Sequence, residues 1–193
     1  MNKKISITKN HVGFTLIEII ISISIASLLL ILVTASYRLS HQIYVSTDTK
    51  AEITQNGRVI LDRMVREIRQ TPDIVTEIPL TNDNPESLPE EIMFQDGHDT
   101  LDIKYIRYYL DNNNIKKQII VYYFDIDPTT YVFWHVTDED GGSPTMEILE
   151  DKIIGEYVYD LELWGDELIN INLYLLKNNQ FQTINTAVYG RNL

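Results

Sequence analysis

The sequence predicts an α+β protein in which one long N-terminal helix, transmembrane in its first half, packs by its second half on an antiparallel β-sheet. Three observations predict it. Phe14 to Ala35 is an unbroken apolar stretch holding a single charge, Glu18. Residues 51 to 70 repeat their apolar positions with helical period, and no proline intervenes before Pro72. From Ile92 onward, short runs rich in Ile, Val, Tyr and Phe alternate with turns made of Asn, Asp and Gly.

At 193 residues the chain has room for one domain and an accessory segment, since compact domains usually hold roughly 100 to 200 residues. Apolar residues make up 44% and charged residues 23%, which excludes wholesale disorder and collagen-like repetition. The absence of cysteine excludes disulfide frameworks, thiolate nucleophiles and thiolate-bound zinc. The formal charge of -12 disfavours nonspecific nucleic-acid binding by the whole molecule, because an acidic surface repels phosphate. That charge is unevenly spread. Lys3, Lys4 and Lys9 stand in an N-terminal segment without acids, residues 36 to 70 hold 4 acids and 6 bases, and residues 71 to 193 hold 23 acids and 7 bases.

The apolar stretch comes first. As a helix rising about 1.5 Å per residue it spans roughly 33 Å, enough to cross a hydrocarbon core of about 30 Å. A secretory signal would have a shorter apolar region ending in a small-residue cleavage site, so this one is read as retained. The leader lysines keep the N-terminus cytoplasmic and place residues from about 40 onward outside. A carboxylate in such a span costs several kcal/mol unless it is protonated, paired or drawn to the interface. From charge alone, Glu18 is either functional or snorkelling to the headgroups.

The helix continues past the membrane. Gly57 is tolerated at about 1 kcal/mol, and Pro72 stops it, so a helix from Phe14 to about Thr71 would be roughly 85 Å long. Ile53, Ile60, Leu61, Met64, Val65 and Ile68 form its apolar stripe. Arg58, Arg63, Arg66 and Arg69 lie largely elsewhere, either solvated or neutralised against the acidic domain.

Pro72, Pro79, Pro85 and Pro89 mark residues 72 to 90 as a loop. Strands are expected at Ile92 to Gln95, Leu101 to Leu110, Ile115 to Phe124, Tyr131 to Val136, Tyr157 to Trp164, Leu168 to Leu176 and Phe181 to Tyr189. Asp111 to Asn114 reads as a hairpin turn, and Gly165-Asp166-Glu167 as a tight turn.

Gly13-Phe14-Thr15-Leu16-Ile17-Glu18, after a short basic leader and before an apolar run, resembles the cleavage site of type IV prepilins and type II secretion pseudopilins. The resemblance implies that a prepilin peptidase cuts between Gly13 and Phe14 and methylates the new Phe14 amine. It also implies that Glu18 pairs with the N-terminal amine of a neighbouring subunit during assembly, neutralising two charges in apolar surroundings. The resulting division is a leader at 1–13, a transmembrane and assembly helix at 14–38, the outer half of the helix at 39–71 and a globular antiparallel β domain at 72–193. Residues 59–69, 103–110 and the ending Gly190-Arg191-Asn192-Leu193 look like PilW-type minor pilins and the J-type pseudopilins. Many major pilins carry a helix-interior proline and a C-terminal cysteine pair, and this chain has neither.

The resemblance therefore implies a structural subunit of a pilus or pseudopilus, expected at its tip or in its initiation complex, and not an enzyme. Its partners would be other pilin or pseudopilin subunits, the prepilin peptidase, the inner-membrane assembly machinery and the membrane. The alternatives are a signal-anchored extracellular binding domain that never assembles, and a major pilin. No nucleophile, phosphate-loop or dinucleotide fingerprint occurs, His11, His41, His98 and His135 have no ligand spacing, and no cofactor is expected. Asp138 and Asp140 beside Gly141-Gly142 are the one alternative for a hard cation such as calcium, against a plain solvated turn. Tyr105, Tyr108, Tyr109, Tyr122 and Tyr123 are expected to pack on strands with their hydroxyls at the rim, with an adhesive surface as the alternative. Lys116 and Lys117 are the only adjacent bases in the acidic region, and the isolated domain is not expected to bind DNA.

Overall fold

A single α-helix, α1, runs Leu16–Ile68 in a computed structural model that describes residues 13–84, 87–98 and 102–190. The expectations for residues 1–12, Pro85, Leu101 and Arg191-Asn192-Leu193 lie outside the described residues. The chain falls into two compact units, one ending at Ser46 and the other beginning at Thr47.

In the first unit, the helical residues to Ser46 are exposed on every side, and α1 is long and apolar enough to cross a membrane. The hydroxyls of Ser22, Ser24, Ser27 and Thr34 are satisfied from within. Ser22 donates to the Glu18 carbonyl at 2.7 Å, Ser24 to Ile20 at 2.8 Å and Thr34 to Leu30 at 2.9 Å. These bonds to carbonyls one turn back leave little of the span's polarity facing outward.

In the second unit, the predicted stripe is the buried one: Ile53, Ile60, Met64 and Ile68 are wholly inaccessible and Leu61 nearly so. The helix ends at Ile68, three residues before the expected limit, in a tightened turn where the Thr71 amide donates to the Ile68 carbonyl at 3.1 Å. Buried Thr71 fixes the exit, its hydroxyl donating to the carbonyls of Asp73 and Gln95.

Among the described residues eight strands follow: β1 Glu91–Gln95, β2 Tyr105–Asp111, β3 Asn114–Phe124, β4 Asp127–Tyr131, β5 Thr145–Glu156, β6 Val158–Trp164, β7 Leu168–Lys177 and β8 Gln180–Tyr189. The expected antiparallel architecture is present, but as two sheets: β1 to β5 make one, and β6-β7-β8 the other. The break falls at Tyr157, held at a φ of 65° between β5 and β6, a left-handed conformation uncommon outside glycine and asparagine. The β2–β3 turn has Asn112 and Asn113 at φ values of 49° and 63°, and the β7–β8 turn has Asn178 and Asn179 at 49° and 62°. These are the residues and conformations that close two-residue hairpins with the correct twist.

Two strand expectations are corrected. The strand placed at Tyr131 to Val136 lies at Asp127–Tyr131, and Phe133 to His135 form a turn anchored by the Trp134 amide on the Tyr105 hydroxyl at 3.3 Å. The unpredicted β5 pairs along almost the whole of β3. Its residues are nearly all exposed, so no burial alternation betrays it, and two register irregularities further blur its pattern.

Gly57 has a packing role beyond tolerance. A Cβ there would lie 2.7 Å from Ile184 Cδ1 and 2.9 Å from Leu175 Cδ1, so the missing side chain lets α1 approach the three-stranded sheet. Of the two alternatives for the helix arginines, the solvated one holds for Arg58, Arg66 and Arg69, and the ion pairs of α1 with the sheets come from its acids. Helix acids meet sheet lysines: Glu52 pairs with Lys177, and Glu67 with Lys117 at 2.7 Å, whose side chain is 8% exposed. Arg63 braces Glu67 along the helix at 3.5 Å, while Arg58, Arg66 and Arg69 stay exposed. Tyr108, expected to show its hydroxyl at a rim, is buried and donates it to Glu67 at 2.5 Å.

Burial, and next its bond to Glu67, raises the Tyr108 phenol above the ordinary tyrosine range. The unfolded chain then releases a proton that the folded one retains, so this group's contribution is complete below pH ~10 and falls above it by about 1.4 kcal/mol per pH unit. In urea titrations across the alkaline range, Tyr108→Phe is expected to flatten the loss of stability by one proton's worth. An alkaline slope equal to that of the native chain would contradict this.

Candidate functional site: the N-terminal segment

Residues 13 to 15 precede α1 without joining it. Gly13 has open space where a side chain would stand, and Phe14 is 85% exposed. The Gly13–Phe14 bond therefore lies in accessible, non-helical backbone just ahead of the helix start at Leu16.

Thr15 and Glu18 form a reciprocal cap. The Thr15 amide and hydroxyl donate to Glu18 Oε2 at 2.8 and 2.9 Å, and the Glu18 amide reaches back to Thr15 Oγ1 at 3.4 Å. This is a capping box, in which two amides otherwise left without partners at a helix start are satisfied by side chains. It gives the span's one carboxylate two donors inside its own chain. This is a third state beside snorkelling and intersubunit pairing, and Thr15-x-x-Glu18 is its signal in the sequence.

The other singled-out residues are scattered. Asp138 accepts from the amides of Asp140 at 3.0 Å and Gly142 at 2.5 Å through one oxygen, so its carboxylate is engaged in turning the loop. Among the described residues no group of three His, Cys, Asp or Glu side chains is placed to hold a metal ion. Lys116 pairs with Asp111 at 2.7 Å while Lys117 points into the helix interface, so adjacent bases serve opposite faces. His41 packs against Tyr37, His98 lies 2.6 Å from Asp96, and His135 packs between Phe133 and Trp134. Of the tyrosines, Tyr105 and Tyr108 are core residues, whereas Tyr109, Tyr122 and Tyr123 are half-buried.

Residues 9–34 match the family model of the prokaryotic N-terminal methylation motif. The chain carries a prepilin-type N-terminus. No curated protein and no solved structure matches the chain. The prepilin-type signature and the long apolar helix support a type IV pilin- or pseudopilin-like protein and fit a membrane anchor, and such a signature implies processing by a prepilin peptidase and association with other pilin subunits.

Removing the Thr15 hydroxyl takes away half of the cap and leaves the Thr15 amide bond to Glu18. Thr15→Ala in lipid nanodiscs is expected to speed amide exchange at Glu18 about fivefold, equivalent to the ~1 kcal/mol typical of a lost N-cap. Unchanged exchange there would show that the box does not hold the helix start.

Proposed function

We propose that this protein is a minor type IV pilin or pseudopilin, stored in the membrane and drawn into the tip or initiation complex of a filament by an inner-membrane assembly machine. In this reading the peptidase cuts between Gly13 and Phe14, Phe14 is N-methylated, and the domain beyond the membrane faces away from the cytoplasm. The observation that carries it is the methylation motif at residues 9–34, placed where the apolar helix begins. The absence of cysteine supports a minor over a major subunit, by comparison with the cysteine pair of many major pilins. A dominant share of this chain in sheared filaments would favour the major role instead.

Assembly gives Glu18 its purpose. The carboxylate leaves its cap for the methylated amine of a neighbour, and the two opposite charges cancel where neither is well solvated. One observation favours a second reading, a signal-anchored domain that never assembles: the capping box already satisfies Glu18 within one chain.

Glutamine at this position separates the two, because it preserves a capping box and removes the charge. Glu18→Gln is expected to insert normally in the membrane yet fall about tenfold or more in recovery from sheared filaments or pseudopili. Recovery equal to that of the native chain would leave Glu18 with only its cap and favour the anchor.

A further inference from the structure

The inner face of the three-stranded sheet is core, with Leu161, Leu163, Ile171 and Leu173 wholly buried. Its outer face, turned away from α1, has a different composition. The pairing register places Trp164 across from Asn170 in one row and Glu162, Asn172 and Asn185 across three strands in the next, with Tyr174 in the row beyond. Asparagine is disfavoured in strands, yet two of these sit in the middle of the central strand. Departures from local propensity of this kind concentrate where a surface has a task.

The face is shaped as well as composed. Trp164, Asn170, Asn172, Asn185, Thr186 and Ala187 line a shallow cavity of about 320 Å³, at the small end of the roughly 300 to 1,000 Å³ typical of ligand sites. Small Ala187, across from Asn170 on this face, leaves the hollow, and the half-buried Trp164 walls it. Its polar groups are held in place: Glu162 Oε2 accepts from the Asn172 amide at 3.1 Å and the Tyr174 hydroxyl at 2.8 Å, and that hydroxyl lies 3.3 Å from Asn172. The Asn170 amide, by contrast, makes only long contacts of 3.4 Å to the carbonyls of Trp164 and Leu168, weak enough to exchange for a ligand.

We propose that this outer face is a binding site for a neutral hexopyranose oligosaccharide, with Trp164 stacking on a sugar ring and Asn170, Asn172 and Asn185 reading its hydroxyls. The chemistry fits on three counts. A pyranose presents a face of C–H groups, which an aromatic ring covers. Its hydroxyls are donors and acceptors together, and each carboxamide offers both functions in one plane. Glu162 supplies a further acceptor, and these rows contain no Lys or Arg, so anionic sugars would meet repulsion and no compensating cation. Along β7, Asn170 to Tyr174 spans about 13 Å, so the face accommodates more than one ring. The site lies wholly within the β domain and does not depend on whether the chain assembles into a filament.

The test uses the full chain in lipid nanodiscs with Trp134→Phe, which leaves Trp164 as the sole tryptophan. Cellohexaose, maltohexaose and mannohexaose are titrated against its emission, with an oligogalacturonate as the anionic probe. At least one neutral hexasaccharide is expected to give a saturable shift at concentrations up to about 10 mM. Asn172→Ala and Asn185→Ala, with unchanged thermal unfolding, are each expected to weaken it about tenfold. The proposal is overturned if no neutral probe shifts the emission, if both substitutions leave the affinity unchanged, or if the oligogalacturonate binds as well.

Discussion

The β domain depends on one contact, the apolar stripe of α1 between Thr47 and Ile68 laid across both sheets. The sheets share no continuous ladder, and the helix supplies the buried layer common to both. Gly57 meets β7 and β8, and Ile60 lies against Gly155 of β5. Glu67 reaches Tyr108 of β2 and Lys117 of β3. Burial of Ile53, Ile60, Met64 and Ile68 at roughly 1.5 to 3 kcal/mol each is of the same order as the net stability of a whole domain, about 5 to 15 kcal/mol. Loss of the helix from this seam would therefore leave two exposed apolar sheet faces and a buried lysine without its partner.

The polar part of the seam has a sign, and it is the reverse of the one that bulk charge suggests. An acidic region beside a run of arginines invites the inference that the arginines neutralise it. Instead, Lys117 and Lys177 of the acidic region reach Glu67 and Glu52 of the helix, with Lys117 turned inward, and three of the arginines remain on the outer surface. Desolvation explains the choice. A buried charge must be matched by a specific partner in good geometry, whereas exposed arginines and exposed acids are screened without pairing. Net charge over a segment governs the surrounding field and says little about which side chains face the core.

The same distinction separates what was legible in the sequence from what was not. The stripe Ile53, Ile60, Leu61, Met64 and Ile68 was readable because helical period reports burial directly, and the Asn-rich turn after β2 was readable because its conformation demands those residues. Strand β5 was not, since both its faces are exposed and its place is set by pairing with β3, a long-range property. The division into two sheets turns on one backbone angle at Tyr157, for which a tyrosine gives no local cue. At the N-terminus, Gly13, Phe14 and Glu18 were legible as a motif. The capping role of Thr15 is equally present in the Thr-x-x-Glu spacing, a helix-start signal independent of the glutamate's charge.

The capping box gives the N-terminal segment a physical logic. In the proposed reading, a carboxylate waiting in a membrane needs donors, and Thr15 provides two without any neighbour; assembly would then have to offer Glu18 something better, which only a full opposite charge in the same apolar setting does. That account requires the amine of Phe14 to exist, and so requires cleavage. Intact mass spectrometry of the protein purified from cells holding the cognate peptidase tests it most directly. The account predicts a chain beginning at Phe14 and carrying one added methyl group, whereas a chain still beginning at Met1 would contradict it.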